Sequence, residues 1–305
     1  MTPTRQGSFH LFRFAGIDIY LHWSWFVVAL IEIQNRSGSY SSMTWNILEY
    51  LSLFGIVLMH ECGHALACRQ VGGRADQIVL WPLGGVAYVD PPSRPGATLW
   101  SIAAGPLVNV VLMPLLLIAV FVARKAGWPD SAPNEFGLLK SITYINAGLL
   151  IFNLLPIYPL DGGQILRSLL WFIVGRARSL MIATIIGFIG VAGLIGLALL
   201  ERSFWIGLMA AFILMNCWRG WVVSQALMRI AKSPHRDGFA CPLCGEAPPI
   251  GAYWRCAKCG TAFDTFETAA TCPHCGDQFG VTRCVGCGQS SPMSNWILAP
   301  PHIKA

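Results

Sequence analysis

Leu58-Met59-His60-Glu61-Cys62-Gly63-His64-Ala65-Leu66 is the stretch from which the rest of the chain is read. It lies inside a mostly apolar run, Ile47 to Ala67, long enough to approach a membrane span. On a helix, His60 and His64 are four residues apart and share a face, which puts two imidazoles within reach of one metal ion. Glu61 stands about 100° round from His60, so it can reach a water on that metal without binding the metal itself. His-Glu-x-x-His on a helix is a zinc-hydrolase signature. The competing reading is two ordinary histidines near a helix end. Ionisable groups in an apolar span are costly and are read as functional by default, which favours the metal.

The composition sets the class. Of 305 residues, 54% are hydrophobic and only 12% charged, against about 25% charged in soluble domains. This describes a membrane protein. The net charge of +6 bears on topology more than on nucleic acid, which is not expected as a partner. Arg5 and Arg13 precede an apolar run as in a signal peptide, but no small-residue cleavage site follows, so an uncleaved first span is expected. Three of the eleven cysteines are scattered, Cys62, Cys68 and Cys217, and read as buried small hydrophobes. The other eight follow residue 240 as four Cys-x-x-Cys pairs. Two regions are therefore expected: a membrane-embedded domain over 1–237 and a tail over 238–305.

The expected fold is a polytopic α-helical membrane protein with about six spans and a short β-hairpin near the membrane, followed by a small β-rich tail. The spans are read at Ile17–Ile33, Trp45–Arg69, Ala97–Ala123, Leu138–Leu155, Leu180–Leu200 and Phe204–Leu227. Trp23 and Trp25 read as an aromatic belt, and His22 as a packed, hydrogen-bonded histidine. Ile78 to Val89, broken by Pro82, Gly84 and Gly85, reads as the hairpin. Bare sheet edges do not survive in lipid, so it must lie at the interface or be buried in protein. Six spans put both termini on one side. Arg5, Arg13, Arg69, Arg74, Arg94, Arg167, Arg176, Arg178, Arg229, Lys232 and Arg236 flank the spans on that side. Arg36, Arg124, Lys125, Lys140 and Arg202 flank them on the other. The excess places both termini in the cytoplasm. The second and fourth spans then both run inward and deliver His60, His64 and Asp161 to similar depth in the cytoplasmic leaflet.

A catalytic zinc takes three protein ligands and leaves one position open. Asp161 is the best third donor: it follows a helix broken by Pro156 and Pro159, and flanking Gly162 and Gly163 let backbone approach closely. The alternative is a helix cap for a helix starting near Gln164. Asn109, deep in the third span, reads either as packing glue or as site support.

In this order, His60-Glu61-x-x-His64, Gly105-Pro106-x-x-Asn109 and Asn153…Leu160-Asp161-Gly162 resemble the site-2 protease family of intramembrane zinc metalloproteases. Leu83-Gly84-Gly85-Val86 and Gly16-Ile17-x-Ile19-x-x-His22 are also similar, and the resemblance covers roughly residues 9–230. It implies Asp161 as third ligand, Glu61 as general base, and Asn153 as a residue that stabilises the oxyanion or orients substrate. Asn109, Gly84 and Gly85 are assigned to substrate binding. The sequence departs from the family in Asn153-Leu154-Leu155-Pro156, where Asn-Pro is often direct. The expected activity is hydrolysis of peptide bonds within or next to transmembrane segments of single-span proteins, near the cytoplasmic face. A substrate helix must unwind first, and strand addition to the hairpin would give its freed backbone new partners.

In the tail, Cys241, Cys244, Cys256 and Cys259 are read as one structural zinc site, and Cys272, Cys275, Cys284 and Cys287 as a second, with pairs assigned sequentially although crossed pairing is open. Together they look like a double zinc ribbon. A segment this small has little core and needs the metal to fold. Disulfides are the alternative, and a cytoplasmic tail argues against them. His274 reads as a bystander. Mixed charge favours a protein contact for the tail. Two rival functions are a catalytically silent membrane scaffold, which the intact Glu61 opposes, and a zinc-responsive transporter, which would need ligands along several spans.

Overall fold

The computed structural model describes residues 7–35, 38, 40–81 and 84–298. Arg5, Arg36, Pro82 and Leu83 lie outside the described residues, and Gly84 to Ala87 are described by backbone alone. The chain forms strands β1 (Ser8–Phe14) and β2 (Ile17–His22), helices α1 (Ser24–Asn35) and α2 (Met43–Gln70), and strands β3 (Arg74–Trp81) and β4 (Gly84–Asp90). Helices α3 (Pro95–Lys125), α4 (Trp128–Ser131), α5 (Pro133–Leu154), α6 (Asp161–Val174), α7 (Arg176–Leu200) and α8 (Phe204–Lys232) follow. The tail adds strands β5 (Trp254–Arg255), β6 (Ala262–Phe263), β7 (Thr282–Arg283) and β8 (Ser290–Ser291). Among the described residues, five helices are long and apolar enough to cross a bilayer: α2, α3, α5, α7 and α8. The protein is an integral membrane protein.

Two compact units emerge, Met1–Ile173 with Ile182–Trp218, and Val174–Met181 with Arg219–Ala305. The second unit therefore takes in the start of α7 and the end of α8 as well as the cysteine-rich tail.

In the first unit, β1 to β4 form one sheet in chain order, with β2 parallel to β3 and the other pairs antiparallel. This revises the first expected span. Residues 17–33 are not one helix but strand β2 followed by the 12-residue α1. Ile17, Ile19 and Leu21 alternate with Asp18 and Tyr20, the period of a strand, and the first two are fully covered. Pairing on both sides satisfies the β2 backbone, as an apolar setting demands. Arg69 Nη2 donates to Gly16 O at 3.0 Å, so β2 starts beside the end of α2. The chain then returns to Met43 through a strand of ~20 Å and a helix of ~18 Å. Together they nearly match the ~42 Å length of α2. Trp25 is 4% exposed and packs edge-on to Tyr50 and Phe54, so it is a core residue rather than part of a belt; Trp23 stays exposed. His22 stacks on Trp81 with ring centroids 4.0 Å apart. Ile17, Ile19, Ile78 and Leu80 of the sheet and Val57, Ala65 and Cys68 of α2 make the core between them.

Helix α6 begins on Asp161 itself. The turn before it is held from behind: Ile157 packs with Val191, Ile213 and Cys217. A Cβ at Gly190 would lie 2.5 Å from Ile157 Cγ1, and one at Gly187 2.9 Å from Tyr158 O. Glycine on α7 is thus what lets the turn seat.

Candidate metal centres

Two elements far apart in the chain, α2 and α6, converge on one point. His60 Nε2 lies 3.1 Å from His64 Nε2 and 3.0 Å from Asp161 Oδ2. His64 Nε2 is 3.4 Å from the same oxygen. Donors on a tetrahedral zinc with bonds of ~2.0–2.1 Å are separated by ~3.3–3.4 Å, so this triangle has the size of part of a coordination shell. The protonation pattern makes the same point. His60 Nδ1–H donates to Asn109 Oδ1 at 2.6 Å, and His64 Nδ1–H donates to Ser101 O at 2.9 Å. With Nδ1 of each ring turned to an oxygen acceptor, the two Nε2 atoms face each other and a carboxylate. Three donors facing inward, with the histidines 3% and 6% exposed, could hold a metal ion among them.

The supporting groups are as specific as the ligands. Asn109 is fully buried; its Nδ2 donates to Asn146 Oδ1 at 2.8 Å, and Asn146 Nδ2 donates to Asn109 O at 3.0 Å. Asn109 therefore sits behind His60, where it fixes the ring, rather than in front of it. Gly105 is the point of closest approach between α3 and the site. A Cβ there would fall 2.2 Å from His64 Nε2 and 2.8 Å from His60 Nε2. Gly63 plays the reciprocal part on α2, where a Cβ would lie 2.7 Å from Ala104 O. Glu61 is buried, at 6% exposure, on the residue next to His60. Asn153 lies on the last turn of α5 and is half-buried. Gly84 and Gly85 open β4, in register with Trp81 and Leu80. The motifs do not single out Ser101 or Asn146. Asn146 carries a signal, an amide within an apolar run; the Ser101 contact is made by a backbone carbonyl and carries none.

The tail holds two further centres, and here the sequential pairing is corrected. Cys241, Cys244, Cys284 and Cys287 form one quartet, and Cys256, Cys259, Cys272 and Cys275 the other, so the second is nested inside the first. The reason lies in the backbone. Ala240 N–H donates to Trp296 O, Leu298 N–H donates to Gly238 O, and Phe239 bridges Ile297. The two ends of the tail are thereby paired, which brings the first and last knuckles together. Trp254, Phe266 and Trp296 fill the space between. Sulfur atoms face one another at 3.8 Å in the outer quartet and 3.6 Å in the inner one, close to the ~3.8 Å between thiolates on a tetrahedral zinc. Each knuckle closes with a glycine in the left-handed region: Gly245, Gly260, Gly276 and Gly288, at φ of 71° to 78°. The thiols are driven apart in acidity. Hydrogen bonds from Thr261 lower Cys259 to about 6. Burial and the neighbouring thiols Cys241 and Cys287 raise Cys244 to about 12. Four such sulfurs ionise together only around a cation.

The sequence profile of peptidase family M50 matches residues 49–136 and 131–197. A zinc metalloprotease of Methanocaldococcus jannaschii is 36% identical over 181 residues, 59% of this chain and 50% of that one. A Synechocystis protein named as a candidate zinc metalloprotease is 32% identical over 221 residues, 66% of this chain and 56% of its own length. The chain thus spans about half the length of these curated relatives. The solved site-2 protease of Methanocaldococcus jannaschii superposes with a TM-score of 0.52 and 30% identity, covering 70% of this chain and 95% of that structure. By profile, by sequence and by fold, the chain belongs to peptidase family M50, the site-2 proteases.

Proposed function

We propose that the protein is an intramembrane zinc endopeptidase that cuts single-span membrane proteins within or next to their transmembrane segments, near the cytoplasmic face. The observation that carries this reading is the inward-facing triangle of His60, His64 and Asp161 beside the buried Glu61, on helices built for lipid. His60 Nε2, His64 Nε2 and an Asp161 carboxylate oxygen would hold the catalytic zinc, and the two cysteine quartets two structural ones. Bound there, zinc supplies Lewis acidity, polarising the scissile carbonyl and acidifying the attacking water.

The chain's own groups do the rest. The Glu61 carboxylate takes a proton from the water and passes it to the nitrogen of the leaving amine. Asn109 and Ser101 hold the two rings in one tautomer. Asn153 orients the substrate or receives the developing oxyanion, following the family resemblance. Among the described residues β4 pairs only with β3, so it offers a free edge to an unwound substrate. Ladder pairs alternate, and with Trp81 and Gly84 closing the hairpin, Gly85 and Ala87 direct N–H and C=O to that edge. Depth and side follow from charge. His64 lies six residues before the end of α2, ~9 Å of helix, and the basic residues cluster around that end. With β2 and α1 together taken as the remaining crossing, both termini are cytoplasmic, and the tail contacts a protein partner there.

The test is Glu61→Gln in the full chain. It is expected to retain all its zinc and lose cleavage of a membrane-anchored substrate. Undiminished cleavage would refute Glu61 as the general base; a wild type that moves zinc and cuts nothing would favour a transporter, and one that does neither a scaffold.

A further inference from the structure

Helices α3 and α5 are joined side by side at depth, where Asn109 Nδ2 donates to Asn146 Oδ1 at 2.8 Å. Further along α3 they leave a cleft of about 420 Å³, within the size range of ligand sites. Leu117, Val120 and Arg124 wall it from α3, and Phe136, Lys140 and Tyr144 from α5. Residues 117, 120 and 124 are three and four apart, and 136, 140 and 144 four apart, so each helix presents one stripe to the cleft.

The cleft is graded along its length. Arg124 is the last residue but one of α3, and Leu117 lies two turns deeper, ~10 Å away along the axis. Gly105, beside the metal centre, is nineteen residues before Arg124. That is ~28 Å of helix, close to the ~30 Å thickness of the hydrocarbon core. The cationic end of the cleft therefore lies at the membrane face opposite that centre.

Arg124 and Lys140 are exposed, and among the described residues neither forms an ion pair with a carboxylate. Lys140 Nζ lies 5.1 Å from the centroid of the Phe136 ring. The helix dipole accounts for a cation at the C-terminal end of α3. It does not account for Lys140, two turns into the membrane-spanning α5, where an ionised amine needs an anion or water. A free anion would have no use for the apolar walls, and an uncharged lipid none for the cations.

We propose that the cleft between α3 and α5 binds one anionic phospholipid, its phosphate taken by Arg124 and Lys140 and an acyl chain lying along Leu117 and Val120. Such a lipid ties α3 to α5, the pair of helices whose Asn109 and Asn146 stand behind His60.

The test uses the full chain, purified in a neutral detergent and stripped of lipid, with bound lipid counted by native mass spectrometry. Phosphatidylglycerol is expected to bind one per chain, at least about fivefold more tightly than zwitterionic phosphatidylcholine. Arg124→Ala and Lys140→Ala should each weaken it about fivefold, and the double variant about 25-fold. Lys125→Ala removes a neighbouring charge that faces Phe121 instead of the cleft, and should bind as the wild type does. Leu117 is 54% exposed, so Leu117→Trp fills the apolar end without disturbing the fold, and should weaken the lipid with both cations in place. Equal affinity for the two lipids, a double variant that binds like the wild type, or a Lys125→Ala loss as large as that of Arg124→Ala would overturn the proposal. Displacement of the lipid by inorganic phosphate, with Leu117→Trp unaffected, would leave an anion site and refute the lipid. Dimers that Leu117→Trp disperses would assign the cleft to a second copy of the chain. Lipid binding is read without substrate, so the result stands whether or not the chain proves to be an endopeptidase.

Discussion

Replacing Gly105 with alanine is the sharpest probe of the candidate catalytic centre. A Cβ at that position would stand 2.2 Å from His64 Nε2 and 2.8 Å from His60 Nε2, where ordinary contact begins at 3.4 Å. The overlap with His64 is therefore ~1.2 Å, against a coordination tolerance of ~0.2 Å in ligand distance. Neither ring can swing aside cheaply, because Asn109 and Ser101 hold both Nδ1 atoms. The helices cannot part cheaply either, since Gly63 packs against the Ala104 carbonyl on the same seam. The methyl group thus occupies the space of the ion. Metal analysis of the purified protein should fall from three zinc ions per chain to two, with the cysteine sites filled, and cleavage should fall by at least ~100-fold. Gly148→Ala is the control: it lies in α5 with nothing within 4 Å, and should keep all three ions and full activity. A Gly105→Ala protein that retains three ions and cuts at the wild-type rate would show that these imidazoles do not share a metal.

Asn109→Ala should weaken zinc binding at the catalytic centre by ~10–100-fold, the usual cost of losing a group that orients a ligand, as read by competition with a chelator; unchanged affinity would deny it that role. Ala87→Pro removes an N–H expected at the free edge of β4 while sparing the ladder to β3. It should slow cleavage of helical membrane substrates more than of pre-extended peptides, and equal slowing of both would count against strand addition.

Much of the centre is legible in the chain itself because it follows from local geometry. A spacing of four puts His60 and His64 on one helix face whatever surrounds them, and an ionisable pair in an apolar run advertises its own cost. The same holds for the knuckles of the tail, where each Cys-x-x-Cys-Gly turn is closed by its own backbone bonds. Asp161 is legible as a candidate from its setting after a broken helix. Its convergence on the histidines depends on residues about 100 positions away, and on glycines of α7 that admit the turn before it.

Elsewhere the residues alone leave the outcome open, and packing decides it. Ile17 to Ile33 is apolar enough for a helix. It becomes strand and short helix because β1 and β3 flank β2 and satisfy its backbone, an arrangement no window of sequence contains. The cysteine quartets could close sequentially or nested with equally good local turns. The choice falls to the pairing of 238–240 with 296–298, a contact between opposite ends of the tail. Asn109 is a polar residue at depth in either reading, and only the position of α3 against α2 sets it behind His60. Short-range periodicity and ligand spacing are properties of the chain itself; which distant groups share an ion or a hydrogen bond is settled when the helices close on one another.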